Sequence, residues 1–146
     1  MSILRFLLLA SIATLLNCNG TEARMQAPEP LPVMTEHNKL KYSSKTRSLI
    51  ADFNDVIRKR FEEKYGNLSM ENYQVTSDSA FSDIVSHYDR ALKELGDWAE
   101  LDTSTLEWSP ETVAAGWSNN SQVFFVLAAK PQNDSDMMPV QTLSNM

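Results

Sequence analysis

Apolar side chains return to one face of the chain every third or fourth position in two long stretches, and at every second position, or every position, in several shorter ones. In the first stretch Leu49, Ile50, Phe53, Val56, Ile57, Phe61 and Tyr65 make one stripe. Their spacing predicts an amphipathic helix capped by Ser43 or Ser44 and ended by Gly66, whose missing Cβ suits the positive φ past a helix end. In the second, Phe81, Ile84, Val85, Tyr88, Ala91, Leu92 and Leu95 repeat the pattern, with Ser77 or Asp78 as the cap and Gly96 as the stop. Residues 72–76 between them alternate as a short strand does.

Past Gly96 the period changes from 3.6 to 2. Residues 98–103 alternate, Leu106 and Trp108 share a parity before Pro110, residues 112–117 form a further strand candidate, and Asn119-Asn120 is a turn signal. Residues 122–129 are apolar on both parities, the mark of an interior strand covered on both faces. The first helix on the far side, the C-terminal tail or a second copy of the protein could supply the second cover. The predicted order is helix, strand, helix and three strands. This points to an α+β fold, a two-layer sandwich with a ferredoxin-like half and a mainly antiparallel sheet.

The ends read differently. Residues 1–17 hold one Arg and then an apolar run, residues 6–16, broken by Ser11 and Thr14. As a helix that run reaches only about 16 Å, short of the roughly 30 Å of a hydrocarbon core, so it is expected to be a signal peptide rather than a membrane span. The stretch Leu15-Leu16-Asn17-Cys18 resembles the lipobox of bacterial lipoproteins, with Asn17 standing where that family prefers a small residue. The resemblance implies lipidation of Cys18. Thr21-Glu22-Ala23 offers ordinary cleavage before Arg24 instead, which would free a secreted protein. Residues 18–42 alternate Pro28, Pro30 and Pro32 in a polar setting and are expected to be an extended tether. Residues 43–130 are the expected domain and residues 131–146 a flexible tail.

The run YQVTSDSAFSDIVSHYDRALKELGDW, residues 73–98, resembles a small exported α+β domain of bacterial envelope proteins of the lipoprotein type. The resemblance implies a location and an architecture, and no substrate.

Composition narrows the chemistry. Thirteen Lys and Arg against nineteen Asp and Glu give a net charge of −6, which argues against a general nucleic-acid binder. Two histidines and one cysteine argue against a Cys/His metal cage, and four scattered glycines form no phosphate loop, so no cofactor is expected. A single cysteine leaves no disulfide within the chain, so the core alone must hold the fold. Asn67, Asn119 and Asn133 head glycosylation sequons of a kind that arise by chance in an Asn- and Ser-rich chain.

Charge is split. Residues 24–65 carry nine bases against six acids, a net of +3, and residues 66–146 carry three against twelve, a net of −9. Arg58, Lys59, Arg60 and Lys64 therefore read as a basic helix face lying near the acidic remainder of the same domain; a membrane surface for that helix, or a basic protein partner for the acidic remainder, are the other readings. Trp98, Glu100 and Asp102 share one parity, and an aromatic platform beside two carboxylates is a way of holding sugars or cations; the other reading puts Trp98 in the core. His87 stands one turn after Asp83 and suits an exposed ion pair, while His37 lies in the tether.

No nucleophile, acid or base stands in a recognisable setting. The sequence thus points to an exported, lipid-anchored, non-enzymatic binding or scaffold module. It would dock another envelope protein or a second copy through the sheet face, and touch the membrane only by its anchor. An acidic inhibitor or immunity protein against a basic enzyme, and a carbohydrate-binding or carbohydrate-active domain built on Trp98, Glu100 and Asp102, are the alternatives.

Overall fold

The first apolar stripe becomes α1, Ser44–Tyr65, in the computed structural model, which describes residues 25–32, 34–36, 43–76, 80–106, 109–130 and 137–146. Ser43 Oγ accepts the Thr46 N–H at 3.1 Å, satisfying one of the donors a helix start leaves free. The helix ends at Gly66, whose φ of 78° with ψ of −170° is backbone that a side chain resists, and whose N–H donates to the Glu62 carbonyl at 2.9 Å. The second stripe becomes α2, Phe81–Leu95, burying Ile84, Tyr88 and Leu92. Ala80 precedes it without a side-chain cap; Ser77 and Asp78 lie outside the described residues.

The strands are β1 (Thr35–Glu36), β2 (Ser69–Thr76), β3 (Ala99–Glu100), β4 (Thr112–Ser118), β5 (Val123–Ala129) and β6 (Met137–Ser144). They form one sheet of order β1-β2-β6-β5-β4-β3, antiparallel at every pairing. The α+β class and the antiparallel sheet are as the sequence indicates.

The layering is not. Alternate residues of β5 face opposite ways, and each set has its own helix. Val123, Phe125 and Leu127 pack with Phe53, Ile57, Tyr65, Leu68 and Leu143 on the α1 side. Phe124 and Val126 pack with Ile84, Tyr88, Leu92, Trp117 and Val140 on the α2 side. The expected two layers are therefore three, helix, sheet and helix, because one strand apolar on both faces needs a cover on each. All seven residues of β5 are buried. The second face of β5 is covered by α1, one of the three covers the sequence allows.

One glycine sets how closely that cover fits. Gly116 of β4 pairs with Phe125 of β5, and a Cβ at 116 would stand 2.5 Å from two carbons of the Phe125 ring. The ring takes the space a side chain at 116 would need, and it meets Phe61 at a centroid distance of 4.7 Å.

Three further expectations are corrected. The expected flexible tail contains β6, which sits between β2 and β5 and is nearly all buried. Pro139 lacks a donor, but β5 pairs with β6 only from Phe124↔Ser144 to Ala128↔Val140, so Pro139 lies past the end of that ladder. Asn145 then locks the chain end: its Nδ2 donates to the Tyr65 and Ser121 carbonyls at 2.9 and 3.0 Å, and its Oδ1 accepts the Val123 N–H at 2.8 Å.

The expected tether is partly folded against the domain, since Ala27, Leu31 and the buried Met34 join the α2-side core and β1 pairs with β2. Apolar residues among and beside the prolines supply the reason: an extended segment gains by covering Tyr73 and Tyr88. The expected strand over residues 98–103 shortens to β3, because Asp102 accepts the Ser104 N–H at 3.0 Å and caps a 3-10 turn at Thr103–Thr105. Leu106 is buried beyond it, and Trp108 lies outside the described residues.

Candidate functional site

The two ends of α1 meet different surfaces. Its later turns press Ile57, Phe61 and Tyr65 onto apolar residues of β5 and β6. Its first three turns stand over the β2 side of the sheet and leave a groove of about 330 Å3. Positions 46, 47, 50, 51, 54 and 55 line the helix wall at helical spacing, Met70 and Asn72 come from β2, and Pro139, Val140 and Gln141 come from β6. Ile50, Ala51, Met70 and Pro139 make its surface chiefly apolar, and Met70 is 43% exposed.

Polar groups run along the floor in one connected chain. Gln141 Nε2 donates to Asn72 Oδ1 at 2.7 Å. Asn54 Nδ2 donates to Gln141 Oε1 at 3.2 Å and to Met70 Sδ at 3.0 Å. Arg58 Nε donates to Asn54 Oδ1 at 2.7 Å, and Arg58 Nη1 also pairs with Glu62. Glu62 closes the chain by accepting the Leu68 N–H at 3.1 Å, and that backbone bond, with Arg58 beside it, holds the Glu62 carboxyl below its ordinary range. Asn54 and Gln141 are buried, so each amide is oriented by its neighbours. Arg47 and Asp55 stand exposed at the lip, with no side-chain partner among the described residues.

A second cavity, of about 560 Å3, lies on the α2 side between residues 25–30 and the sheet, lined by Ser69, Glu71, Tyr73, Thr142 and Ser144. There Tyr73 Oη donates to Glu71 Oε2 at 2.6 Å. Nearby, Tyr88 Oη has Met34 Sδ at 3.8 Å, and burial pushes this phenol well above its ordinary value.

The residues singled out from sequence do not converge. Trp98 is buried in the α2-side core, and its Nε1 is the one buried side-chain nitrogen or oxygen without a partner among the described residues. Glu100 is exposed on β3, paired in register with Trp117. Asp102 turns back on Ser104, whose hydroxyl and N–H hold its carboxyl below the ordinary range. An aromatic platform beside two carboxylates is therefore not formed, because the aromatic member went to the core. His87 Nε2 donates to the Glu29 carbonyl at 2.7 Å in place of the expected pair with Asp83. Cys18 and His37 lie outside the described residues.

Much of the basic cluster is engaged within the chain. Besides Arg58, Arg60 Nη1 donates to the Thr105 carbonyl at 3.4 Å and Lys64 Nζ stands 4.7 Å from the centroid of the Tyr65 ring. Trp117 Nε1 donates to Asp89 at 3.1 Å, and Lys93 pairs with the same carboxylate, which both donors hold below its ordinary value.

Sequence reasoning passed over the groove. One signal was present: Asn54 stands on the apolar stripe beside Phe53, where a polar residue needs a partner. Nothing local announces Asn72 or Gln141, which meet across 69 positions of sequence. Among the described residues no three His, Cys, Asp or Glu side chains gather to hold a metal, and no helix is long and apolar enough to cross a membrane. No protein-family model, curated protein or solved structure matches the chain.

Proposed function

We propose that this chain is a non-enzymatic binding module that takes a small ligand in the groove between α1, β2 and β6. The observation that carries the reading is the amide chain Asn72, Gln141, Asn54: oriented polar groups set along an otherwise apolar cleft of ligand size. Side-chain amides donate and accept hydrogen bonds without ionising near neutral pH, which suits recognition more than acid–base chemistry.

The export signal and the lipobox-like Cys18 belong to the same proposal. They would hold the groove outside the membrane on the partly folded stretch before α1. The ferredoxin-like half enters here too. Its support is the strand-helix-strand unit β2, α2, β3, whose two strands run the same way; three strands, β6, β5 and β4, rather than one stand between them.

The test is a fragment screen by two-dimensional NMR on the full mature chain. The expected result is a set of saturable shifts in the side-chain amide signals of Asn54, Asn72 and Gln141, lost in Gln141→Leu. Fragments that bind only elsewhere would overturn the reading. Intact mass of the mature protein tests the anchor: a diacyl adduct on an N-terminal Cys18 is expected, and a mature chain starting at Arg24 contradicts it.

A further inference from the structure

We infer that the groove's ligand is a short zwitterionic peptide in extended form, its C-terminal carboxylate at Arg47 and its N-terminal ammonium at Asp55, an assignment that rests on the groove being the binding site. Both side chains line the groove, and neither has a partner among the described residues. They are eight residues apart on one helix, so about 12 Å apart along its axis at roughly 1.5 Å per residue. An extended chain advances about 3.4 Å per residue, so three to four residues fit between the two charges.

The apolar stretch between the charges is Ile50 and Ala51 on the helix, facing Met70 and Pro139 on the sheet. That surface suits one or two small aliphatic side chains. The opposite wall supplies what a peptide backbone needs. Asn72 Nδ2 has no partner among the described residues, and Gln141 Nε2 has one hydrogen beyond the bond to Asn72. Both can donate to peptide carbonyls. Arg47 lies in the first turn of α1, where the helix's partial positive charge also favours a carboxylate. A fatty acid would satisfy Arg47 but lay its tail beside Asp55, an unpaired carboxylate. Two opposite charges at the ends of one apolar trough fit a molecule that carries both.

Calorimetry on the full mature chain, with Ala-Leu-Ala as the probe, tests this. The free tripeptide is expected to bind, and acetylating its amine or amidating its carboxyl should weaken binding by about threefold to tenfold each. The losses should be residue-specific: Asp55→Asn abolishes the penalty of acetylation and leaves that of amidation, while Arg47→Gln does the reverse. Both positions are exposed, so the variants should fold as the parent does. Three results would overturn the assignment. They are capped and free peptides binding alike, octanoate binding as tightly as the tripeptide with no response to Asp55→Asn, or fragments filling the groove while no tripeptide does. The last would leave the groove a binding site and remove only the peptide. If neither fragments nor the tripeptide reach the groove amides, both readings fall.

Discussion

The first and last turns of α1 belong to one helix, face one sheet and differ in what they touch. The later turns place Ile57 against Phe125, Leu127 and Leu143, all wholly buried, with Phe61 and Tyr65 beside them. The earlier turns place Ile50 and Asn54 over Met70, Asn72 and Gln141, where amides replace hydrocarbon and a cleft remains. Close packing of large side chains holds a helix in place, and it leaves no room for anything else. On the proposed reading two tasks divide along the helix: the later turns, the dry end, fix the position of α1, and the earlier turns, the wet end, present oriented polar groups.

The strand shared by both ends is β6, which puts Leu143 under the dry end and Gln141 under the wet one. The largest effect is expected from deleting residues 137–146. That deletion opens the sheet between β2 and β5, and the shortened chain should show no cooperative unfolding by circular dichroism. An ordered, cooperative product would mean that the C-terminal strand is an ornament.

Ile57→Ala comes next, since the side chain is wholly buried at the dry end. Urea denaturation should show a loss of about 2–5 kcal/mol, with the remaining groove chemistry intact where the variant still folds. Gln141→Leu should cost less, about 1–3 kcal/mol. It deprives Asn54 Nδ2 and Asn72 Oδ1 of a partner while keeping a side chain of similar size. The same denaturation series ranks the two, and the reverse order would erase the distinction between the ends.

The smallest effect joins them. Glu62, at the end of the polar chain, has a carboxyl held below its ordinary range by the Leu68 N–H and Arg58. Its folded form is the more acidic, so it adds stability above the ordinary carboxylate range and loses that contribution as pH falls through the lowered value. Stability measured against pH should therefore fall on acidification by a step that Glu62→Gln lacks. Equal acid sensitivity in the two proteins would remove Glu62 from the account.

How much of this could be read from the sequence follows from the range of each interaction. Both helices were legible because their stripes are local, and β4 and β5 because their patterns are unmixed. The both-sided strand even announced that its second face would be covered. Of the three possible covers the structure uses the first helix on the far side, which the two-layer reading did not adopt, since a stripe records that a helix is amphipathic and not which face it meets. β6 was missed because Asn133, Asp134, Ser135, Asp136 and Pro139 look like a tail until β2 supplies a ladder from Ser69↔Ser144 to Thr76↔Met137. The same long-range pairing creates the groove, so Asn72 and Gln141 had no signature of their own. Trp98 shows the converse: an alternating pattern suggested a platform, and the core took the ring.

Hydrogen exchange along α1, with and without the tripeptide, tests the division most directly. Amides of residues 57–61 should exchange only through global unfolding, whereas those of residues 49–54 should open locally and exchange faster, then gain protection when the groove is filled. Uniform protection from residue 49 to residue 61, unchanged by ligand, would show a helix with one task rather than two.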